Sequence, residues 1–185
     1  MKETGSRRLV LTGGPGAGKT TLIKALGKAG YARMPEAGRG VIRHQMEIGG
    51  TALPWHDPLL FAELMLSWDM RSYHAARTRA GPVFFDRGVP DNVGYLRLVG
   101  IAAPEHMERA AQELRYSRTV FVAPPWREIF ENDRERRQDF DEAVRTYEVG
   151  SETYTDYGYE LIELPYVSAS ERVSFVIETT AATAV

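Results

Sequence analysis

The chain contains no cysteine among its 185 residues, which removes disulfides, thiolate metal sites and cysteine nucleophiles together. Lysine is nearly as scarce: Lys2, Lys19, Lys24 and Lys28 are the whole supply. Any cation needed beyond residue 28 is therefore arginine or a protonated histidine. No apolar run approaches the about 18 residues of a membrane span, and the N-terminal MKETGSRRLV lacks the apolar core of a secretion signal. A bias of charge is missing too. The 23 basic and 25 acidic residues leave a formal net charge of -2, which gives no reason to expect wholesale binding of nucleic acid or an anionic membrane. Together these absences lead to the expectation of a soluble, cytoplasmic protein. One domain over residues 1–185, long enough to bury a real core, would act on a small molecule.

What is present begins at LTGGPGAGKTT, residues 11–21. Gly13, four residues, then Gly18-Lys19-Thr20 fits the phosphate-binding P-loop, and the preceding Leu9-Val10-Leu11 reads as a buried strand. A helix follows, with Leu22, Ile23 and Leu26 on one face and Gly30 at its end. Gly13, Gly14, Pro15, Gly16, Ala17, Gly18, Lys19, Thr20 and Thr21 are thus the expected nucleotide-binding residues. Glycines let backbone N–H groups curl around phosphate oxygens, and the helix N-terminus adds its dipole. Lys19 would reach the terminal phosphates of ATP, and the Thr20 hydroxyl would take a place on Mg2+.

Strand and helix patterns then alternate without linker, repeat or low-complexity tract. YARMP (31–35) reads as a second strand, with a helix to about Ile48. Asp57-Pro58 opens a long apolar helix, a capping carboxylate followed by proline in the first turn. Further strands are expected at Pro82–Asp86, in SRTVFVAPP and in YELIELP. Helices are expected over WREIFENDRERRQDF, over DEAVRTYEVGSETYTDY closed by Gly158, and over SASERVSFVIETT capped by Ser168 or Ser170. Five strands alternating with helices predict an α/β three-layer sandwich around a parallel sheet, whose ligands gather at the carboxyl ends of the strands.

That rule brings three features to one edge: the P-loop after strand one, Glu36 after strand two and Asp86 after strand three. An acid such as Asp86 after a hydrophobic strand serves magnesium, directly or through water. The next residue is Arg87, where an ATPase that activates water commonly places a second acid. A cation there suits a substrate or a transferring phosphoryl group and does not suit taking a proton from water; the alternative is that Asp86 and Arg87 make structural ion pairs. Glu36 could accept the proton of a substrate hydroxyl, orient that hydroxyl, or cap the following helix. DRERRQ (133–138) puts Arg134 and Arg137 one turn apart. The run reads as a solvated helix face or, from its place after the fourth strand, as an arginine-bearing lid at about 126–140 that closes on nucleotide.

GGPGAGKTTL, MPEAGRGVI, FFDRGVPD, VFVAPPW, DRERRQDF and YELIELP together resemble, in order and over nearly the whole chain, a predicted-ATPase family of small P-loop proteins. That AAA-type family is similar to the nicotinamide-riboside kinase domain and, more distantly, to deoxynucleoside kinases, thymidylate kinase and chloramphenicol phosphotransferase. The resemblance implies sheet order 2-3-1-4-5. It also matches Asp86-Arg87 to the acid–arginine pair of nucleoside kinases, Glu36 to the acid that acts as base in several of them, and Arg134 to a lid arginine lying against adenine. It thins over 49–79 and 89–109, where an acceptor would sit.

The expected function is ATP- and magnesium-dependent phosphoryl transfer to a hydroxyl of a small, nucleoside-like molecule. Lys19, Glu36, Asp86, Arg87 and Arg137 would be catalytic, Thr20 and Asp86 would hold the metal, and Arg134 would join the nucleotide contacts. The alternative is an NTPase or nucleotide sensor without an acceptor. A small GTPase is disfavoured because its Asn/Thr-Lys-x-Asp guanine element would need a lysine past residue 28. Around the expected acceptor pocket, Trp68 reads as core, Asp57 as a cap and His56 as exposed. Asp69 and Arg71 lie on a helix walling the site, Arg39, Arg43 and Gln45 read either as contacts for an anionic substrate or as a solvated helix face, and Tyr147, Tyr154 and Tyr157 read as packing.

Overall fold

Three apolar runs become strands with every or nearly every residue buried: β1 (Arg8–Gly13), β3 (Val83–Asp86) and β4 (Thr119–Ala123). Burial on both faces is what a parallel sheet covered by helices demands. The shorter β2 (Ala32–Met34) and β5 (Glu160–Glu163) are half-exposed and form its edges. The computed structural model describes residues 7–130 and 139–183. All four pairings are parallel, in the order β2-β3-β1-β4-β5, as the sequence resemblance implies.

The strands alternate their side chains between two cores, as a pleat of period two requires. Val10, Phe85 and Val120 meet α2 (Ala37–Ile48), α3 (Pro58–Ala75), α4 (Val89–Leu98), α5 (Glu105–Glu113) and α6 (Phe140–Asp156) on one face. Leu9, Leu11, Phe84 and Phe121 meet α1 (Lys19–Lys28) and α7 (Ala169–Ala182) on the other. The capping signals act as their chemistry dictates. Asp57 accepts the Leu60 N–H at 2.9 Å, and Ser168 forms a reciprocal capping box with Glu171. Among the described residues no helix is long and apolar enough to cross a membrane.

Two departures from the sequence reading matter. The helix expected over 126–140 is not formed where the chain is described. Arg127–Ile129 make one 3₁₀ turn, Phe130 is extended with φ −67° and ψ 115°, and α6 starts afresh at Phe140 behind its cap Asp139. Asp139 accepts the Glu142 N–H at 2.8 Å, so α6 carries its own start signal. Residues 88–116, which carried no assigned element, hold α4 and α5. In α4 Gly88, Pro90 and Asp91 supply the N-terminal signal, since Asp91 accepts the Gly88 N–H at 2.8 Å.

Candidate active site

Register builds the site. Leu11 pairs with Asp86 across β1 and β3, and Gly13 pairs with Ala123 across β1 and β4. The loop leaving β1 therefore starts beside the end of β3, and Glu36 lies two residues past Met34, the last residue of β2. From Gly13 the chain turns through Gly14, Pro15, Gly16, Ala17 and Gly18 into α1, whose first three residues are Lys19, Thr20 and Thr21. Two of these glycines are fixed by geometry. Gly13 has φ 127°, and a Cβ there would stand 2.3 Å from the Ala123 carbonyl oxygen. Gly18, the N-cap of α1, has φ 81°, in the left-handed region that side chains rarely adopt.

Lys19 is 6% exposed and donates through Nζ to the carbonyl oxygen of Gly14. Burial pulls its pKa well below the ordinary lysine value, Arg87 adds to the fall, and Asp86, Glu36 and Asp91 oppose it. Asp86 is 5% exposed, and its Oδ1 is buried without a partner. Burial and then Glu36 push its pKa up, against Lys19 and Arg87.

Arg87 alone among the described non-glycine residues has positive φ, 71°. Strain of this kind persists where surrounding contacts over-determine it. Here the Arg87 N–H donates to Leu11 O at 3.0 Å, Nε lies 3.4 Å from Glu36 Oε1, and Nη1 donates to Asp91 Oδ1 at 3.2 Å. Burial alone would lower the guanidinium pKa; Glu36, Asp91 and Asp86 outweigh it and hold the group above its usual range. Glu36 occupies the N-cap position of α2, yet its carboxylate makes no cap hydrogen bond there. It faces Arg87 and accepts from Arg39 Nε at 3.1 Å.

The structure thus brings Lys19, Glu36, Asp86 and Arg87 together and adds Asp91, which sequence reasoning did not single out. Asp91 accepts four donors: Thr12 Oγ1 at 2.6 Å, Arg87 Nη1 at 3.2 Å, Gly88 N at 2.8 Å and Tyr154 Oη at 2.6 Å. The signal for it was the third-position acid after Gly88-Val89-Pro90. Tyr154 does more than pack, since its phenol helps fix this carboxylate.

Beside Asp91, Asp69 on α3 is 5% exposed and accepts from Asn92 Nδ2 at 2.9 Å. Burial raises the Asp69 pKa from 3.8 to about 7, with the Asn92 hydrogen bond opposing it. Between those two values the folded chain binds a proton that the unfolded chain has released, so stability falls as pH rises through this window and the loss is complete above about 7. Asp69→Asn keeps an acceptor for Asn92 and removes the charge. It is expected to raise unfolding free energy at pH 8 by up to about 4 kcal/mol and to change it little at pH 4, measured by urea denaturation at both pH values.

Of the remaining candidates, Gln45, Trp68 and Arg71 line one cavity between α2 and α3, and the others are dispersed. Trp55 and His56 are exposed, Asp57 caps α3, and Trp68 packs over Gly40 and beside the His44 ring, with centroids 5.4 Å apart. Gln45 accepts the Ala52 N–H at 3.1 Å, while Arg43 and Arg71 are exposed. Tyr147 donates to Glu163 and Tyr157 to Glu108. Arg134 and Arg137, with most of the expected lid, lie outside the described residues.

The site suits a magnesium-bound nucleotide: a glycine cradle too tight for side chains, a helix N-terminus, and a buried carboxylate oxygen in want of a partner. Among the described residues no cluster of three or more His, Cys, Asp or Glu is arranged to hold a metal. A cation held by Thr20 and Asp86 would complete its oxygen shell from phosphate and water.

A family model described as an AAA domain matches residues 8–172. Among solved structures, deoxyadenosine kinase from M. mycoides with products dCMP and a flexible dCDP bound superposes with TM-score 0.69 at 12% identity, over 95% of this chain and 99% of that one. The same kinase with bound dATP gives 0.57 at 11% identity, over 94% of this chain and 99% of that one. The NadR protein in complex with NR gives 0.65 at 18% identity, over 95% of this chain and 50% of that one. At these identities the likeness is one of fold. No curated protein matches the chain.

Proposed function

The chain belongs to the AAA-domain family, and from that premise we propose that it transfers the terminal phosphoryl group of ATP to a hydroxyl of a small, nucleoside-like molecule. The observation that carries this reading is Arg87. It follows the acid that ends β3, and its side chain is held between Glu36 and Asp91 in a backbone conformation that non-glycine residues rarely adopt. A guanidinium fixed beside the P-loop neutralises a phosphoryl group in transfer, whereas water activation would call for a carboxylate there. The resemblance to kinases of nucleoside-like substrates supports the acceptor class.

In this mechanism the P-loop N–H groups and Lys19 hold the β- and γ-phosphates. Thr20 and Asp86 would hold Mg2+, which when bound offsets charge on those phosphates. Glu36 orients the acceptor hydroxyl and takes its proton as the oxygen attacks the γ-phosphorus. The bond from that phosphorus to the bridging oxygen of ADP breaks, and Arg87 neutralises charge on the moving group, assisted by Arg134 and Arg137. Asp91 aims Arg87, and the Asp69–Asn92 pair supplies polar groups for the acceptor side.

The test is incubation with [γ-³²P]ATP and Mg2+ against pooled nucleosides, sugars and antibiotics. Stoichiometric label in a small molecule is the expected result. Free phosphate alone would make the chain an NTPase, and tight binding without turnover would make it a sensor.

A further inference from the structure

The last helix carries an arginine that this mechanism does not use. Arg172, on α7, is 2% exposed, and among the described residues no carboxylate lies within ion-pair distance of it. Its partners are backbone oxygens: Nε donates to Pro165 O at 2.8 Å and Nη1 to Ala17 O at 2.8 Å. Nη2 is buried with no partner, and Cζ lies 4.8 Å from the centre of the Trp126 ring. Burial draws the guanidinium pKa below its ordinary range, and Tyr166 opposes that fall.

A guanidinium taken out of water is expensive unless an anion accompanies it. Two carbonyl oxygens and an indole face stabilise Arg172 without cancelling its charge. This charge stands directly behind the P-loop, with Nη1 3.3 Å from where a Cβ on Gly18 would be. On the other side of the loop the formal charges of six described groups balance. Lys19, Arg87 and Arg39 stand against Glu36, Asp86 and Asp91. Among the described residues that cluster offers an arriving polyphosphate no net formal charge, so the dipole of α1 and Arg172 add to the favourable field there.

We infer that Arg172 is a positioning residue of the nucleotide site, fastening the P-loop through Ala17 and holding behind it a positive charge that the phosphates of the bound nucleotide complete. The inference rests on the nucleotide-binding reading above and adds an electrostatic contributor from the opposite face of the sheet. It makes phosphate affinity follow the charge at residue 172 more closely than the hydrogen bonds there.

The experiment is calorimetric titration of the full chain, wild type, Arg172→Gln and Arg172→Lys, with ATP and with AMP. Glutamine keeps amide donors and drops the charge; lysine keeps the charge and drops the two-carbonyl fork. Arg172→Gln is expected to weaken ATP about tenfold and AMP, with about half the phosphate charge, about threefold. Arg172→Lys is expected to hold ATP affinity within about threefold of wild type. Unchanged ATP affinity in the glutamine variant, equal losses for ATP and AMP, or a tenfold loss in the lysine variant would each overturn the inference. If the glutamine chain does not fold, the lysine variant decides alone on the same thresholds. A wild-type chain that binds no ATP overturns the nucleotide reading and this inference together, whereas ATP binding indifferent to charge at residue 172 overturns this inference alone.

Discussion

Lys19→Ala lowers ATP turnover about 10²- to 10³-fold, the loss of about 3–4 kcal/mol of transition-state stabilisation expected when one preorganised charge is removed from a closed site. The chain keeps its fold. Alanine is the best helix former, and it enters at the first residue of α1. The ammonium it replaces is desolvated enough to have its pKa pulled down, so the native state loses little by giving it up. Nucleotide affinity falls less than turnover, because the loop N–H groups and the dipole of α1 remain. Steady-state ADP release, alongside far-ultraviolet circular dichroism and a thermal melt, reads both halves of the prediction. An unaltered rate with an intact fold removes the P-loop from the chemistry.

Glu36→Gln is expected to cut kcat by about 10²-fold or more, the scale of a general base, and to leave the KM for ATP within twofold. The substitution preserves volume and an acceptor oxygen for Arg39, while Arg87 keeps its bond to Asp91. What disappears is proton affinity. An orienting role without proton transfer predicts a different split, with a raised KM for the acceptor and kcat nearly unchanged. The structure already removes the third reading open in the sequence, since the Glu36 side chain makes no cap hydrogen bond to α2.

The sequence exposed those parts of the molecule whose causes are local. Leu9–Leu11 and Phe84-Phe85 are strands because unbroken apolar runs admit burial on both faces, and Asp57 and Ser168 start helices because their oxygens reach the third N–H. The strand ends fix where Lys19, Glu36, Asp86 and Arg87 must sit, so their convergence was legible from spacing. Asp91 was not, because its importance comes from donors 79, 63, 4 and 3 residues distant in the chain. Asp69 was named only as a residue of the helix walling the site; its pairing with Asn92 across α3 and α4 was opaque for the same reason. Arg172 looked like any charged residue on a terminal amphipathic helix; only the tertiary fold shows that its guanidinium is swallowed. The helix expected over 126–140 fails at its described start, where Arg127–Ile129 close a single 3₁₀ turn and Phe130 is extended.

Gly14 and α6 meet main chain to main chain. A Cβ on Gly14 would stand 2.2 Å from the Ala143 carbonyl oxygen, and one turn of α6 is thereby keyed against the loop. The same helix is bolted at its other end through Tyr154 to Asp91, and through Asp91 to Thr12 at the root of the loop. Loop and helix therefore keep one shared alignment, with α6 as a fixed anvil behind the loop. A side chain introduced at Gly14 would then drive the loop against the main chain of α6 and deform the cradle from within.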